Sequence, residues 1–286
     1  MLPAMAAKPN ITIVGPGRLG TGLAVELRRA GYRLCEIVSR KASQRTAGAL
    51  AKSTGGRTAT VKTALLDADL LWLSVPDGEI AALAQQLAPR ARWRGKIVFH
   101  SSGALASAEL DVLRQRGAAV AAVHPFMTFV RGSIPSLAGV PFGVEGDAAA
   151  VRVARRVVRD LGGEVFSVAR GKKSAYHAWG AFTSPLLVAL LVTAEEVAGV
   201  AGFSQTEARK NILPIVRQTI ANYAKLGPAG AFSGPIVRGD ADTVRKHLQA
   251  LRKVPAARAV YVALARVALR RLPAGNRREL ERALHG

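Results

Sequence analysis

Gly15-Pro16-Gly17-Arg18-Leu19-Gly20 has the spacing G-x-G-x-x-G, which lets a chain lay its backbone against a pyrophosphate. Gly15 permits the tight turn, Gly17 the close approach of backbone to phosphate, and Gly20 the close packing of a helix on its sheet. The apolar run Ile11-Thr12-Ile13-Val14 precedes the motif, and Leu19, Leu23 and Leu27 follow at helical spacing. The motif therefore closes a strand and opens a helix, the context it requires. Free N–H groups at that helix start then face the anion. The end of the next strand selects the cofactor. A carboxylate about 20 residues beyond the loop would bond the ribose 2′-hydroxyl of NAD. Here the chain reads Val38-Ser39-Arg40-Lys41. Ser39 and Arg40 suit a 2′-phosphate, and so NADP. Glu36 lies mid-strand, where it does not easily reach the ribose. Two more loops follow strands, Val75-Pro76-Asp77 and His100-Ser101-Ser102-Gly103-Ala104. Both are expected on the nicotinamide side, since open α/β sheets bind ligands at strand C-termini. Ser101 and Ser102 can also cap a helix, and the two roles are compatible.

With a nicotinamide carrying the hydride, the protein must orient a carbonyl or imine and supply a proton. Lys173, Tyr176 and His177 are spaced three and four apart, so they share one face of a helix. Lys173 and His177 are candidate proton donors, and His124, at a strand end, is their rival. Tyr176 is a candidate substrate contact. Arg238, in Gly234-Pro235-Ile236-Val237-Arg238-Gly239-Asp240, either pairs with Asp240 or grips a substrate carboxylate through its two-pronged donor set. His247 reads as a helix-face residue near it. No metal site is expected.

The elements that must hold these residues follow from periodicity. Short apolar runs predict strands over residues 11–14, 34–39, 70–74, 96–99, 120–123, 142–145 and 164–168. Helical spacing predicts helices over 18–29, 43–52, 79–87, 106–116 and 148–161. This alternation implies a doubly wound, mostly parallel sheet of Rossmann type, buried on both faces. Beyond Arg170 the strand signal stops. Helices are expected over 174–199, with Pro185 interrupting the first, then over 205–225, 241–251, 256–272 and 277–284, with a loop at 227–239. The fold class is thus α/β followed by an all-helical part: residues 1–169 as an NADP-binding domain and residues 170–286 as a helical substrate and dimerisation domain.

Composition narrows the function. The 286 residues are 49% hydrophobic and 21% charged, which excludes a disordered chain. The single cysteine, Cys35, excludes an intramolecular disulfide framework and a cysteine-rich zinc site. The net charge of +22 is dispersed in short groups such as Arg155-Arg156 and Arg277-Arg278. Aromatics make up 5%, and no nucleic-acid motif accompanies the charge, so no nucleic-acid partner is expected. The first ten residues lack the apolar core of a signal peptide. The apolar run at residues 185–194 ends at Glu195-Glu196, short of the roughly 20 residues of a membrane span. A cytoplasmic protein off the membrane is expected.

The N-terminal half resembles the NADP-binding domain of the superfamily that holds 6-phosphogluconate dehydrogenase, the β-hydroxyacid dehydrogenases, ketopantoate reductase and pyrroline-5-carboxylate reductase. More closely, the chain resembles a Rossmann-like bacterial family with a C-terminal domain of unknown function. The resemblance rests on His124-Pro125-Phe126-Met127-Thr128-Phe129, on Lys173-Ser174-Ala175-Tyr176-His177-Ala178, and most specifically on Ser233-Gly234-Pro235-Ile236-Val237-Arg238-Gly239-Asp240 with Thr243-Val244 and His247-Leu248. It implies an NADP-dependent oxidoreductase, a homodimer through its helical domain, acting on a small carbonyl or imine compound, carboxylated, in an interdomain cleft. Thr128 and Ser184 join the substrate-binding candidates. The chain departs from the family at Ser184-Pro185, where relatives show Ser-Asn. Without that amide the hydroxyacid mechanism is not carried over, and an NADP-binding sensor without turnover stands as the alternative.

Overall fold

The structure is a computed structural model and describes residues 7–40 and 45–285. Lys41 and the expected helix start at Ser43 lie outside the described residues. In chain order the first part runs β1 (Ile11–Val14), α1 (Arg18–Arg29), β2 (Leu34–Ser39), α2 (Arg45–Thr54), β3 (Arg57–Thr60), β4 (Leu70–Leu73), α3 (Asp77–Leu87), β5 (Ile97–His100), α4 (Asp111–Arg114), β6 (Ala119–Pro125), β7 (Pro141–Gly146), α5 (Ala148–Asp160), β8 (Glu164–Ser167) and α6 (Lys173–Thr183). The second part is helical: α7 (Pro185–Val200), α8 (Gln205–Ala231), α9 (Pro235–Arg238), α10 (Ala241–Ala250), α11 (Pro255–Arg271) and α12 (Arg277–His285).

Among the described residues eight strands form one sheet, ordered β3-β2-β1-β4-β5-β6-β7-β8. Every pairing is parallel except β6 with β7. The continuous apolar strands are explained by burial on both faces. In β4, Leu70 and Trp72 join one core with Ile13, Leu23 and Phe99, while Leu71 and Leu73 join another with Val38, Ile80 and Val98. Each such side chain contributes roughly 1.5–3 kcal/mol by leaving water. Trp72 meets Phe99 edge-on, with ring centroids 5.3 Å apart.

The structure differs from the sequence expectation at several elements. Strand β3 was not anticipated, because Arg57-Thr58-Ala59-Thr60 is short and polar; it is an edge strand that buries only Ala59. The helix expected over 106–116 begins as a 3₁₀ turn, Ser107–Leu110. Glu145 of β7 holds that turn, accepting from the Ser107 N–H at 2.7 Å and its hydroxyl at 2.9 Å. Pro185 does not kink a long helix. It begins α7 at a position where the missing N–H has no helical partner to lose, after a non-helical Ser184. Helix α8 runs past its expected end, through a break at Gly227 (φ 70°), into the region read as loop.

The chain divides into two compact units, Met1–Thr183 and Ser184–Gly286. The first unit therefore continues beyond the anticipated boundary near Arg170 and includes α6, the helix that carries Lys173, Tyr176 and His177. The second unit has its own small core around Val244, Leu248, Leu269 and Leu280. Its helices α7 and α8 leave Leu186, Val188, Val192, Ile215, Ile220 and Tyr223 exposed. Among the described residues, the stretch Arg170–Val200 is long and apolar enough to cross a membrane by length and composition, with mean hydropathy 1.5. It exceeds the run judged from residues 185–194 because it joins α6 to α7 across Ser184.

Candidate functional site

Both candidate clusters lie at the C-terminal edge of the sheet in the first unit. The first is built mainly from backbone. Gly15 has φ +96°, and a Cβ there would lie 2.6 Å from the Ser74 carbonyl oxygen. A Cβ at Gly20 would lie 2.1 Å from the Gly15 carbonyl oxygen, whereas Gly17 has open space where a side chain would project. Gly17 is the N-cap of α1 and offers no side-chain cap, so the first N–H groups of the helix remain free for an anion. The loop forms one wall of a cavity of about 780 Å³ lined by Val38, Ser39, Arg40, Val61, Val75, Pro76, Glu79 and Leu83, among others. An anion-accepting helix start beside a long, mostly apolar cleft fits a dinucleotide. Arg18 and Leu19 open α1, and Pro16 lines the cleft.

Ser39 is buried at the end of β2. The exposed Arg40 forms an ion pair with Glu79 of α3. Glu79 escaped the sequence reading because it lies on a different element, far along the chain. Glu36, by contrast, is turned away from the cleft. Its buried carboxylate accepts from the Leu65 and Leu66 N–H groups, each at 3.1 Å, and pairs with Arg57 at 2.5 Å.

The second cluster is built from side chains. Strands β5 and β6 are parallel with His100 opposite Ala122, so the loop after His100 rises beside His124. Helix α6 brings Lys173, Tyr176 and His177 to the same place. The Tyr176 hydroxyl lies 2.7 Å from His124 Nδ1. Lys173, 2% exposed, donates from Nζ to the Ser102 carbonyl at 2.9 Å. Gly103 is wedged beneath the two imidazoles: a Cβ there would lie 2.8 Å from His177 Cδ2 and 2.9 Å from His124 Nε2. His177 itself is exposed.

Electrostatics separates these groups. Burial lowers the pKa of His124 to about 4, with Lys173, His177 and His100 adding to the effect. Burial likewise lowers His100 to about 4. His100 Nδ1 accepts from the Ser102 N–H at 3.1 Å, and its Nε2 lies 3.0 Å from the Ala106 carbonyl, which fixes a neutral Nε2–H ring. Burial lowers Lys173 to about 8, opposed by Glu145 and Asp77. The Ser101 and Ser102 hydroxyls serve the loop itself. Ser101 Oγ accepts from Trp72 Nε1 at 2.8 Å, and Ser102 Oγ accepts from the Ala104 and Leu105 N–H groups at 3.2 and 2.9 Å.

Thr128 is exposed in the loop after β6, and Ser184 is half-buried ahead of α7. In the second unit, Arg238 is exposed and has no ion-pair partner among the described residues. Asp240, its expected partner, instead caps α10, accepting from the Thr243 N–H at 3.0 Å and its hydroxyl at 2.6 Å. Gly239 ends α9 in the left-handed conformation, and a Cβ there would lie 2.8 Å from the Gly275 backbone. Much of the Gly234–Asp240 motif is therefore accounted for by helix capping. His247 Nδ1 sits 3.1 Å from the Tyr261 hydroxyl.

Comparison with known proteins places these clusters in context. Residues 4–125 match a Rossmann-like domain, and residues 140–268 match a domain of unknown function, DUF2520. Comparison with curated proteins finds no match. Among solved structures, the chain is similar to a protein from Bacteroides fragilis described as a candidate NADP oxidoreductase (TM-score 0.74, 22% identity, covering 91% of this chain and 97% of that one). It is also similar to the reductive aminase of Aspergillus terreus, in complex with NADPH and ethyl-5-oxohexanoate (TM-score 0.68, 20% identity, 96% and 99%). A pyrroline-5-carboxylate reductase from Coxiella burnetii shares the fold as well (TM-score 0.61, 16% identity, 91% and 98%).

Proposed function

We propose that this Rossmann-like protein with a DUF2520 C-terminal domain is an NADP-dependent reductase of a small carbonyl or imine compound. The observation that carries the reading is the uncapped glycine turn opening onto the 780 Å³ cleft, with a histidine–lysine cluster two and three strands along the same sheet edge. In this reading the backbone from Gly15 to Gly20 receives the pyrophosphate, Arg18 adds charge, and Ser39 and Arg40 receive the 2′-phosphate. The phosphate takes over Arg40 from Glu79, an exposed pair that holds it weakly. Val75, Pro76 and the Ser101–Gly103 loop border the nicotinamide end. When bound, NADPH supplies the hydride.

The residues of the second cluster divide the remaining work. His124, neutral and fixed, donates a hydrogen bond to the carbonyl oxygen or imine nitrogen. His177, exposed and next to it, delivers the proton, because a donor must be reached by both substrate and solvent. Lys173 is buried on the Ser102 carbonyl and holds the loop in place. Arg238, exposed and unpaired among the described residues, suits a carboxylate on the substrate, and Thr128 and Ser184 stand as further substrate contacts. The exposed apolar residues of α7 and α8 favour a homodimer built on the second unit. The single cysteine fits a cytoplasmic enzyme.

The test is NADPH consumption against a panel of keto acids, ketones and cyclic imines. Turnover that falls about hundredfold in His177→Asn, with NADPH binding intact, supports the reading. Tight NADPH binding with no turnover on the whole panel supports the sensor alternative, which the missing asparagine at Ser184-Pro185 favours.

A further inference from the structure

Tyr176 is a candidate substrate contact by sequence, yet its surroundings suit a different task. It is 7% exposed, and its ring is held among Phe126, Phe166 and His124, with centroids 5.5, 5.7 and 5.5 Å away. The phenol cannot swing out to a ligand without dismantling that packing. Gly143, opposite His124 in the antiparallel β6–β7 pair, makes room for it: a Cβ at 143 would stand 2.7 Å from the phenol oxygen. The hydroxyl is hydrogen-bonded by the Gly143 backbone and lies 2.7 Å from His124 Nδ1. A neutral imidazole has one N–H and one bare nitrogen, and its partner decides which is which. Phenol is a much stronger acid than a neutral imidazole N–H, and the imidazole nitrogen is the stronger base. The hydrogen bond therefore runs from Tyr176 O–H to Nδ1, which leaves the ring proton on Nε2. That nitrogen has no hydrogen-bond partner among the described residues and lies on the Gly103 side of the ring, beside His177.

We propose that Tyr176 is a positioning residue: it locks His124 in the Nε2–H tautomer and aims that N–H into the space beside Gly103 and His177, where the reducible group is held. The proposal rests on the reductase reading for its use, but not for its geometry. No proton is transferred through Tyr176 in this scheme; the phenol keeps its proton throughout, and the proton consumed comes from His177.

The experiment is ¹⁵N NMR of histidine-labelled protein at neutral pH, alongside steady-state kinetics of Tyr176→Phe. The wild type should show His124 as Nε2–H, and Tyr176→Phe should show a mixture of tautomers. In the same variant kcat should fall about tenfold, with KM and NADPH affinity within about twofold. Gly143→Ala, which drives a methyl group at the phenol oxygen, should reproduce the loss of kcat with every hydroxyl still present. An Nδ1–H tautomer in the wild type overturns the proposal, and this measurement needs no variant to fold. Unchanged kcat in Tyr176→Phe overturns it too, as does a loss confined to KM, which would mark Tyr176 as a substrate contact. NADPH titration of the wild type judges the reductase reading alone, so the two fail separately.

Discussion

The two ends of one sheet edge are built on opposite principles. At the β1–β2 end the candidate groups are main-chain N–H groups of a glycine turn, and among the described residues the exposed side chains Arg40 and Glu79 pair with each other. At the β5–β6 end the candidate groups are side chains. Apart from the exposed His177 they are buried or half-buried and already bonded within the protein: Lys173 to the Ser102 carbonyl, Tyr176 to His124, His100 to the Ser102 N–H. At the first end Arg40 is held by an exposed ion pair, which a charged ligand can displace at little cost. The second end is already ordered by its own hydrogen bonds, and it pays for that order by excluding charge from two histidines.

Mutations should separate the two ends. The largest effect is expected from Gly20→Ala, whose Cβ would sit 2.1 Å from the Gly15 carbonyl oxygen. NADPH binding, followed by calorimetry, should weaken about hundredfold or more, while the tautomer of His124 stays as in the wild type. Gly103→Ala should do the reverse. Its methyl group would displace both imidazoles, and a misplacement of that size costs about hundredfold in kcat. NADPH affinity should change only a few-fold, and a comparable loss of both would mean that the two ends are not independent.

Acid should act on the second end. Burial holds His100 at about 4 against an ordinary 6.5, so the unfolded chain takes up the proton first as pH falls. The stability this neutral ring contributes is full above pH 6.5 and is lost progressively between pH 6.5 and about 4. For His100 alone it amounts to on the order of 3 kcal/mol. Urea midpoints measured across that window should fall toward acid, and His100→Gln should flatten the slope. The smallest effect belongs to Glu79→Gln. Removing a carboxylate from beside Arg40 should strengthen NADPH binding a few-fold, read by the same titration, and leave kcat unchanged.

The same contrast explains what the sequence disclosed. The glycine turn is contiguous, each residue has a distinct backbone task, and the flanking strand and helix are strongly periodic. Its position, the parallel sheet and the two-part organisation were therefore legible. The histidine cluster was legible only as parts. His124, Lys173, Tyr176 and His177 could be named as candidates, but Tyr176 as a partner of His124 depends on Gly143 lying across from it in β7, a long-range pairing that no local pattern encodes. Glu79 was hidden for the same reason, since it takes the strand order β2-β1-β4 to bring α3 beside the end of β2. The Gly234–Asp240 motif was legible as a glycine- and proline-set turn, while the way Gly239 and Asp240 close one helix and open the next shows only in the structure.

The most direct measurement is a titration of the purified protein with NADPH and with NADH, repeated on Arg40→Ala. A cleft that reads the 2′-phosphate through Ser39 and Arg40 should bind NADPH at least about tenfold more tightly than NADH, and Arg40→Ala should remove most of that preference while sparing NADH binding. Failure of the wild type to bind either dinucleotide would make the glycine turn a purely structural feature and contradict the reductase reading outright.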